Sequence, residues 1–343
     1  MLNENRNLFS TDEIETASET ASMPMLTDWT ASTPMLTDWT DAKTASFQKE
    51  IMSFGHNLGA TGLFTDEALI DLLERHPVDK MDVCTMSAPN HPVYPNSFRT
   101  GDSRNVPGKV LLDAAKAGCL WINLREAMNI HPEYKRTLDA IYGELAEKTG
   151  NQAFNPRGGI LISSPIARVP YHFDKTETLL WHIRGKKRVF IYPLTQKFIS
   201  DAAYEDVISN ALKEDLPFDA SFDADAQIVD LAEGTAATWP LNSPHRVDNQ
   251  TFCVSVTTEY STRQSGMKNA AMLTNAMLRQ RFGMDPSYSN DSDLTRQIKS
   301  VMGRVIGKTS FAPDTSEPDM VTFGIDGDAE NFIVDVEPFE RNF

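Results

Sequence analysis

The residues best able to do chemistry in this chain are two histidines and an aspartate. His172 and Asp174 stand two apart in YHFDKTETLLWHIRGKKRVFIYP at 171–193, and His245 lies in WPLNSPHRV at 239–247. Two imidazoles and one carboxylate can hold one face of an octahedral Fe(II) and leave three positions open for O₂ chemistry. An HxD pair alone is common, and a surface histidine beside its own aspartate is the plainer reading of His172. The weight rests on the ensemble: the pair, a later histidine behind Pro244, a turn at Gly185, and Lys187 fifteen residues after His172.

For these groups to meet, strands must carry them. Residues i and i+2 of a strand point to one face, so an extended backbone at 172–174 sends both side chains into one interior. From 157 the chain reads as short strands between turns, at 159–164, 178–183, 187–192, 227–231, 236–239 and 251–259, with one helix over about 195–213. The fold class expected is mostly β with helical flanks, around a jelly roll, or double-stranded β-helix. Ahead of the barrel, helices are expected over 65–76, capped by Thr65 and stopped by Pro77, over 107–118, and over 132–148 with Pro132 in the first turn. Strand character is partial at 80–86, and 119–124 reads as a buried strand or helix start. Behind it, helices are expected over 267–282 and 294–306, with Met267, Met277, Ile298, Val301 and Val305 on packing or dimer surfaces. The tail at 332–343 is expected to finish as an edge strand.

The ensemble resembles the cupin-like JmjC branch of the Fe(II)/2-oxoglutarate-dependent oxygenases. The specific motifs cover about 157–260. The resemblance implies that His172, Asp174 and His245 are the metal ligands and that Lys187 binds the distal carboxylate of 2-oxoglutarate. It also implies that Thr178, six residues past His172, lies near the cosubstrate. The implied reaction consumes O₂ and 2-oxoglutarate, releases succinate and CO₂, and hydroxylates a protein side chain or a small metabolite. Demethylation follows where the hydroxylated carbon is attached to nitrogen. The alternative is a non-catalytic metal-binding cupin with a sensory or regulatory role; Lys187 argues against it, since a bare metal site needs no carboxylate anchor. His182 shares strand parity with Thr178 and is read as a wall residue or a fourth ligand. Arg246 is read as a rim ion pair or a substrate contact.

The four segments expected are a flexible acidic arm (1–45), a mixed helical flank (46–156), the barrel (157–263), and a helical extension with a tail (264–343). The arm holds a near-perfect duplication, ASMPMLTDWT at 21–30 and ASTPMLTDWT at 31–40, identical at nine of ten positions. Two copies are too few for a solenoid. Either they extend as an arm, or Trp29 and Trp39 dock on the body, a subunit or a partner. The formal net charge of -16 disfavours nucleic acid and anionic lipid as partners. No apolar run approaches a membrane span. Cys84, Cys119 and Cys253 lie far apart and read as reduced thiols, which with MLNENRNLFS at the start suggests a cytoplasmic protein.

Overall fold

The computed structural model describes residues 33–87, 90–94, 97–118, 120–209, 216–308 and 319–343. The first repeat copy with Trp29, and Cys119, fall outside them. The flank preceding the barrel runs α1 (Asp41–Ser46), β1 (Met52–Gly55), α2 (Asp66–Arg75), β2 (Met81–Met86), β3 (Phe98–Asp102), α3 (Gly108–Ala117), β4 (Leu120–Leu124), α4 (Ala127–Ile130) and α5 (Pro132–Thr149). The helix ends follow their capping chemistry. The Thr65 side chain accepts from the Ala68 N–H at the start of α2, and Gly150 closes α5 in the left-handed conformation.

The barrel strands are β5 (Phe154–Ser163), β6 (Arg168–His172), β7 (Glu177–Arg184) and β8 (Lys187–Ile191), then, after α6 (Asp201–Ile208), β9 (Gln227–Leu231), β10 (Thr235–Thr238), β11 (His245–Asn249) and β12 (Cys253–Ser261). The chain continues through α7 (Arg263–Phe282), α8 (Asp293–Ile306), β13 (Met320–Ile325) and β14 (Ile333–Glu340). The eight strands divide between two sheets. One has the order β6-β11-β8-β9, and the other places β10-β7-β12-β5 side by side. That interleaving is the jelly-roll topology expected from the sequence. The larger sheet continues past β5 through β4, β2, β3, β13 and β14, and past β10 to β1, making ten strands. The tail strand β14 is thus an edge strand.

Between the two barrel sheets lies a small apolar core of Leu180, Val189, Ile191, Leu231, Ala237, Trp239 and Val247. The opposite face of β7 belongs to the main core, where Leu179, Trp181 and Ile183 meet the helical flank. β7 is therefore buried on both faces, which is why TLLWHI shows no alternation. Cys84 and Cys253 are buried and neither forms a disulfide. No helix among the described residues is long and apolar enough to cross a membrane.

Candidate metal centre

Strand register brings the two histidines together. His245, the first residue of β11, pairs with His172, the last residue of β6, and on its other side with Ile191 of β8. Their ring centroids stand 4.2 Å apart. Asp174 completes the group: its Oδ1 is 3.9 Å from His172 Nε2 and its Oδ2 is 3.6 Å from His245 Nε2. Among the described residues this is the one cluster of three or more such side chains that could hold a metal, with ligand atoms within 4.8 Å of one another.

The ring nitrogens have divided tasks. His172 Nδ1 lies 2.8 Å from the Pro170 carbonyl, and His245 Nδ1 lies 3.1 Å from the Ser243 carbonyl. A carbonyl only accepts, so each Nδ1 carries a proton and each Nε2 is left to face Asp174. This is the backbone tethering that orients metal-ligating imidazoles. Burial, then the neighbouring His172, holds the His245 pKa well below the usual histidine range, so His245 stays neutral. Burial raises the Asp174 pKa, and its Oδ2 has no hydrogen-bond donor. An orphaned buried carboxylate oxygen facing two imidazole nitrogens fits a cation, and the N,N,O donor set fits Fe(II).

Strand alternation was expected to aim Asp174. It does not, because β6 ends at His172 and Asp174 stands in the loop beyond. Phe173 sets the loop instead: fully buried, it stacks on Tyr204 with centroids 4.7 Å apart and planes 9° from parallel. The loop backbone is held from outside. Asn242 Nδ2 donates to the Asp174 carbonyl at 2.8 Å, and Asn269 Nδ2 donates to the Lys175 carbonyl at 2.7 Å. Asn242 Oδ1 in turn accepts from Tyr204 and from the half-buried Lys268 ammonium. Sequence reasoning missed this support. Asn242, Lys268 and Asn269 sit on a turn and a helix whose meeting with the HxD loop no local pattern announces.

Lys187 lies farther down the same interior. It pairs with Asn249, whereas Ile191, four residues on, pairs with His245. The inward face of β8 therefore runs Lys187, Val189, Ile191, and that of β11 runs Asn249, Val247, His245. At about 3.3 Å per residue, the lysine and the histidines are separated by roughly 13 Å of strand. The Lys187 side chain is 2 % exposed. It forms no hydrogen bond or ion pair among the described residues, and burial pushes its pKa down to about 8. Its hairpin depends on Gly185, at φ +91°, where a Cβ would come within 2.1 Å of the Phe252 carbonyl oxygen. Arg188 faces outward and forms a bidentate pair with Asp230.

The remaining candidates separate cleanly. Thr178 is buried on β7, and its hydroxyl donates to the Thr176 carbonyl at 3.3 Å. His182 is fully buried in the wall, with Nδ1 3.0 Å from Ser255 Oγ, and does not join the metal cluster. Arg246 is committed to Asp223 and Asp248 at 2.8 and 2.9 Å and covers the Phe190 ring. Trp239 packs against His245 with centroids 4.5 Å apart.

Fold and site together define a double-stranded β-helix with a two-histidine, one-carboxylate cluster at one end of its interior. No family model matches the chain, and no curated protein matches it. Solved structures do. The X-ray structure of the Escherichia coli protein ycfD covers 80% of this chain and 70% of its own, with TM-score 0.46 and 14% identity. A structure of the E. coli ribosomal oxygenase YcfD in complex with cobalt and 2-oxoglutarate covers 84% and 74%, with TM-score 0.43 and 12% identity.

Proposed function

We propose that this protein is an Fe(II)/2-oxoglutarate-dependent oxygenase that hydroxylates a protein side chain or a small metabolite. The observation carrying this reading is one barrel that holds both the His172–Asp174–His245 cluster and the buried, unpartnered ammonium of Lys187. An unpaired buried cation is expensive to maintain. A ligand carboxylate would offset that cost. Between the lysine and the cluster, the interior is lined by the apolar side chains of Val189, Ile191, Val247, Leu180 and Ala237. A short dianion with methylenes between its charged ends, as 2-oxoglutarate has, complements a cation at each end and an apolar middle.

Fe(II) held by His172, Asp174 and His245 would supply the O₂ chemistry in which 2-oxoglutarate is oxidised to succinate and CO₂ as substrate is hydroxylated. The protein's own contribution is orientation. The Pro170 and Ser243 carbonyls hold the two rings, Asn242 and Phe173 hold the aspartate loop, and Lys187 fixes the far carboxylate. Thr178 lies beside the ligand loop, near the cosubstrate. Cys84 and Cys253, neither in a disulfide, suit a reducing, cytoplasmic setting.

Self-association belongs to α8. It turns Ser300 and Gly303 inward and leaves Leu294, Ile298, Val301 and Val305 more than half exposed. A continuous apolar stripe of this kind suits a homodimer contact. Light scattering on the eluted protein should give twice the chain mass, and Val301→Asp should return it to monomer; a wild-type monomer contradicts this assignment.

The function is tested by incubating protein with Fe(II), 2-oxoglutarate and O₂ and measuring succinate. Slow succinate release is expected, abolished by His172→Ala and Lys187→Met. Metal binding without succinate would replace the oxygenase by a non-catalytic metal-binding cupin.

A further inference from the structure

Residues 33–45, assigned from sequence to the arm, pack on the body together with Phe47. Met35 and Leu36 are buried, and Trp39 meets Phe47 and Phe54 edge-on at 5.5 and 5.1 Å. Phe54 in turn meets Trp181 of β7 at 5.3 Å. The backbone of this segment is tied to the body at several points. Met35 N–H donates to Glu144 Oε2 at 2.6 Å, Thr37 N–H to the Gly55 carbonyl at 3.0 Å, and Asn57 N–H to the Met35 carbonyl at 3.0 Å. Asn57 Nδ2 donates to the Pro34 carbonyl at 2.9 Å, and Gly55 N–H donates to Asp38 Oδ1 at 2.7 Å. Only glycine admits so close a strand, for a Cβ on Gly55 would stand 2.2 Å from Thr37 Oγ1.

Every group that enters this groove comes from Pro34–Trp39. The heptapeptide PMLTDWT that supplies them at 34–40 is repeated without change at 24–30. We infer that the groove formed by β1, residues 55–57 and α5 is a receptor for this heptapeptide, and that 24–30 of the same chain is its second ligand. Segment 24–30 replaces 34–40 by a ten-residue slip of the chain. The junction permits the slip: Thr40 and Asp41 are exposed, so the displaced ten residues can loop into solvent between them. Closing a ten-residue loop disfavours the slipped register by about thirtyfold, which leaves 34–40 as the resident copy. Chain continuity favours the resident copy further, since Thr40 runs directly into α1 and its side chain caps that helix by accepting from the Lys43 N–H. The duplication thereby backs up a brace that reaches the outer face of β7, whose inner face carries Thr178.

The test uses the full chain and hydrogen exchange resolved to short peptides. In the wild type, the amides of Met35 and Thr37 should be protected. In the double variant Leu36→Asp, Trp39→Ser, protection should move to the amides of Met25 and Thr27, to the same extent at every protein concentration. Adding Leu26→Asp and Trp29→Ser should remove it from both copies. Should the double variant fail to fold, Asp38→Ala, which deletes one exposed acceptor, should move part of the protection in the same direction. Loss of protection at 34–40 with none gained at 24–30 overturns the inference. Gain that grows with protein concentration and accompanies dimer formation also overturns it, since the first copy would then be serving a second chain.

Discussion

His76 and His131 meet at the junction of α2 and α5, with Nδ1 of the first 3.2 Å from Nε2 of the second. His172 and His245 meet at the end of the barrel interior, also ring to ring. In the first pair, His76 Nε2 donates to the Lys80 carbonyl and its Nδ1 is taken by the partner ring. Burial drives the His76 pKa down to about 4, and no carboxylate completes a ligand set there. In the second pair, backbone carbonyls take both Nδ1 protons and both Nε2 atoms turn toward one carboxylate. Packing explains the first arrangement completely. It leaves three potential ligand atoms facing one another in the second, an arrangement that fits a metal cation.

The largest expected contrast comes from deleting one ring of each pair. His172→Ala should weaken Co(II) or Fe(II) binding by roughly a hundredfold or more while changing stability by less than about 1 kcal/mol. His76→Ala should leave metal affinity intact and cost about 2 kcal/mol by denaturant unfolding. Equal effects of the two on metal binding would erase the distinction.

Lys187→Met sharpens the same logic at the other end of the interior. Removing an unpartnered buried cation should stabilise the metal-free protein by about 1 kcal/mol, yet weaken 2-oxoglutarate binding roughly a hundredfold. Isothermal titration and denaturant unfolding read the two effects separately. A structural lysine would instead lower stability and leave the ligand untouched.

The pH dependence follows from the same group. Only the ammonium form pairs with a carboxylate, and Lys187 titrates at about 8 in the free protein, below its ordinary 10.5. Affinity for 2-oxoglutarate should be flat below about pH 7 and fall by up to tenfold per unit above about 8. Stability moves the other way. Between about 8 and 10.5 the unfolded chain binds more protons at this group, so its contribution to stability rises with pH. Lys187→Met should flatten both profiles.

The smallest effect is expected at Asn242, which touches the aspartate loop rather than the metal. Asn242→Ala removes the donor to the Asp174 carbonyl and should weaken metal binding about tenfold. Titration with Co(II) measures it.

Much of the barrel was legible because its strands are short, β-rich and separated by turns, and β9 falls on the expected residues 227–231. The ligand-bearing strands β6 and β11 were harder. RVPYH and HRVDN are short and interrupted by a proline or by charged residues, and register rather than composition places them. The helix expected over about 195–213 starts later than expected, as α6, Asp201–Ile208, because the Ser200 side chain caps it by accepting from the Ala203 N–H; 210–215 lie outside the described residues. The residues of the metal cluster could be picked out by type and spacing, but the aim of Asp174 could not. It depends on a phenylalanine stacked on a distant tyrosine and on asparagines from other elements.

The central claim, one pocket joining the metal cluster to Lys187, is tested most directly by an anaerobic titration. Protein loaded with Fe(II) is mixed with increasing 2-oxoglutarate while the visible spectrum is followed, for wild type and Lys187→Met. The wild type should develop a weak, saturable charge-transfer band, and the variant should need roughly a hundredfold more ligand to reach it. Iron binding with no band at any 2-oxoglutarate concentration, or identical titrations for the two proteins, would contradict the account.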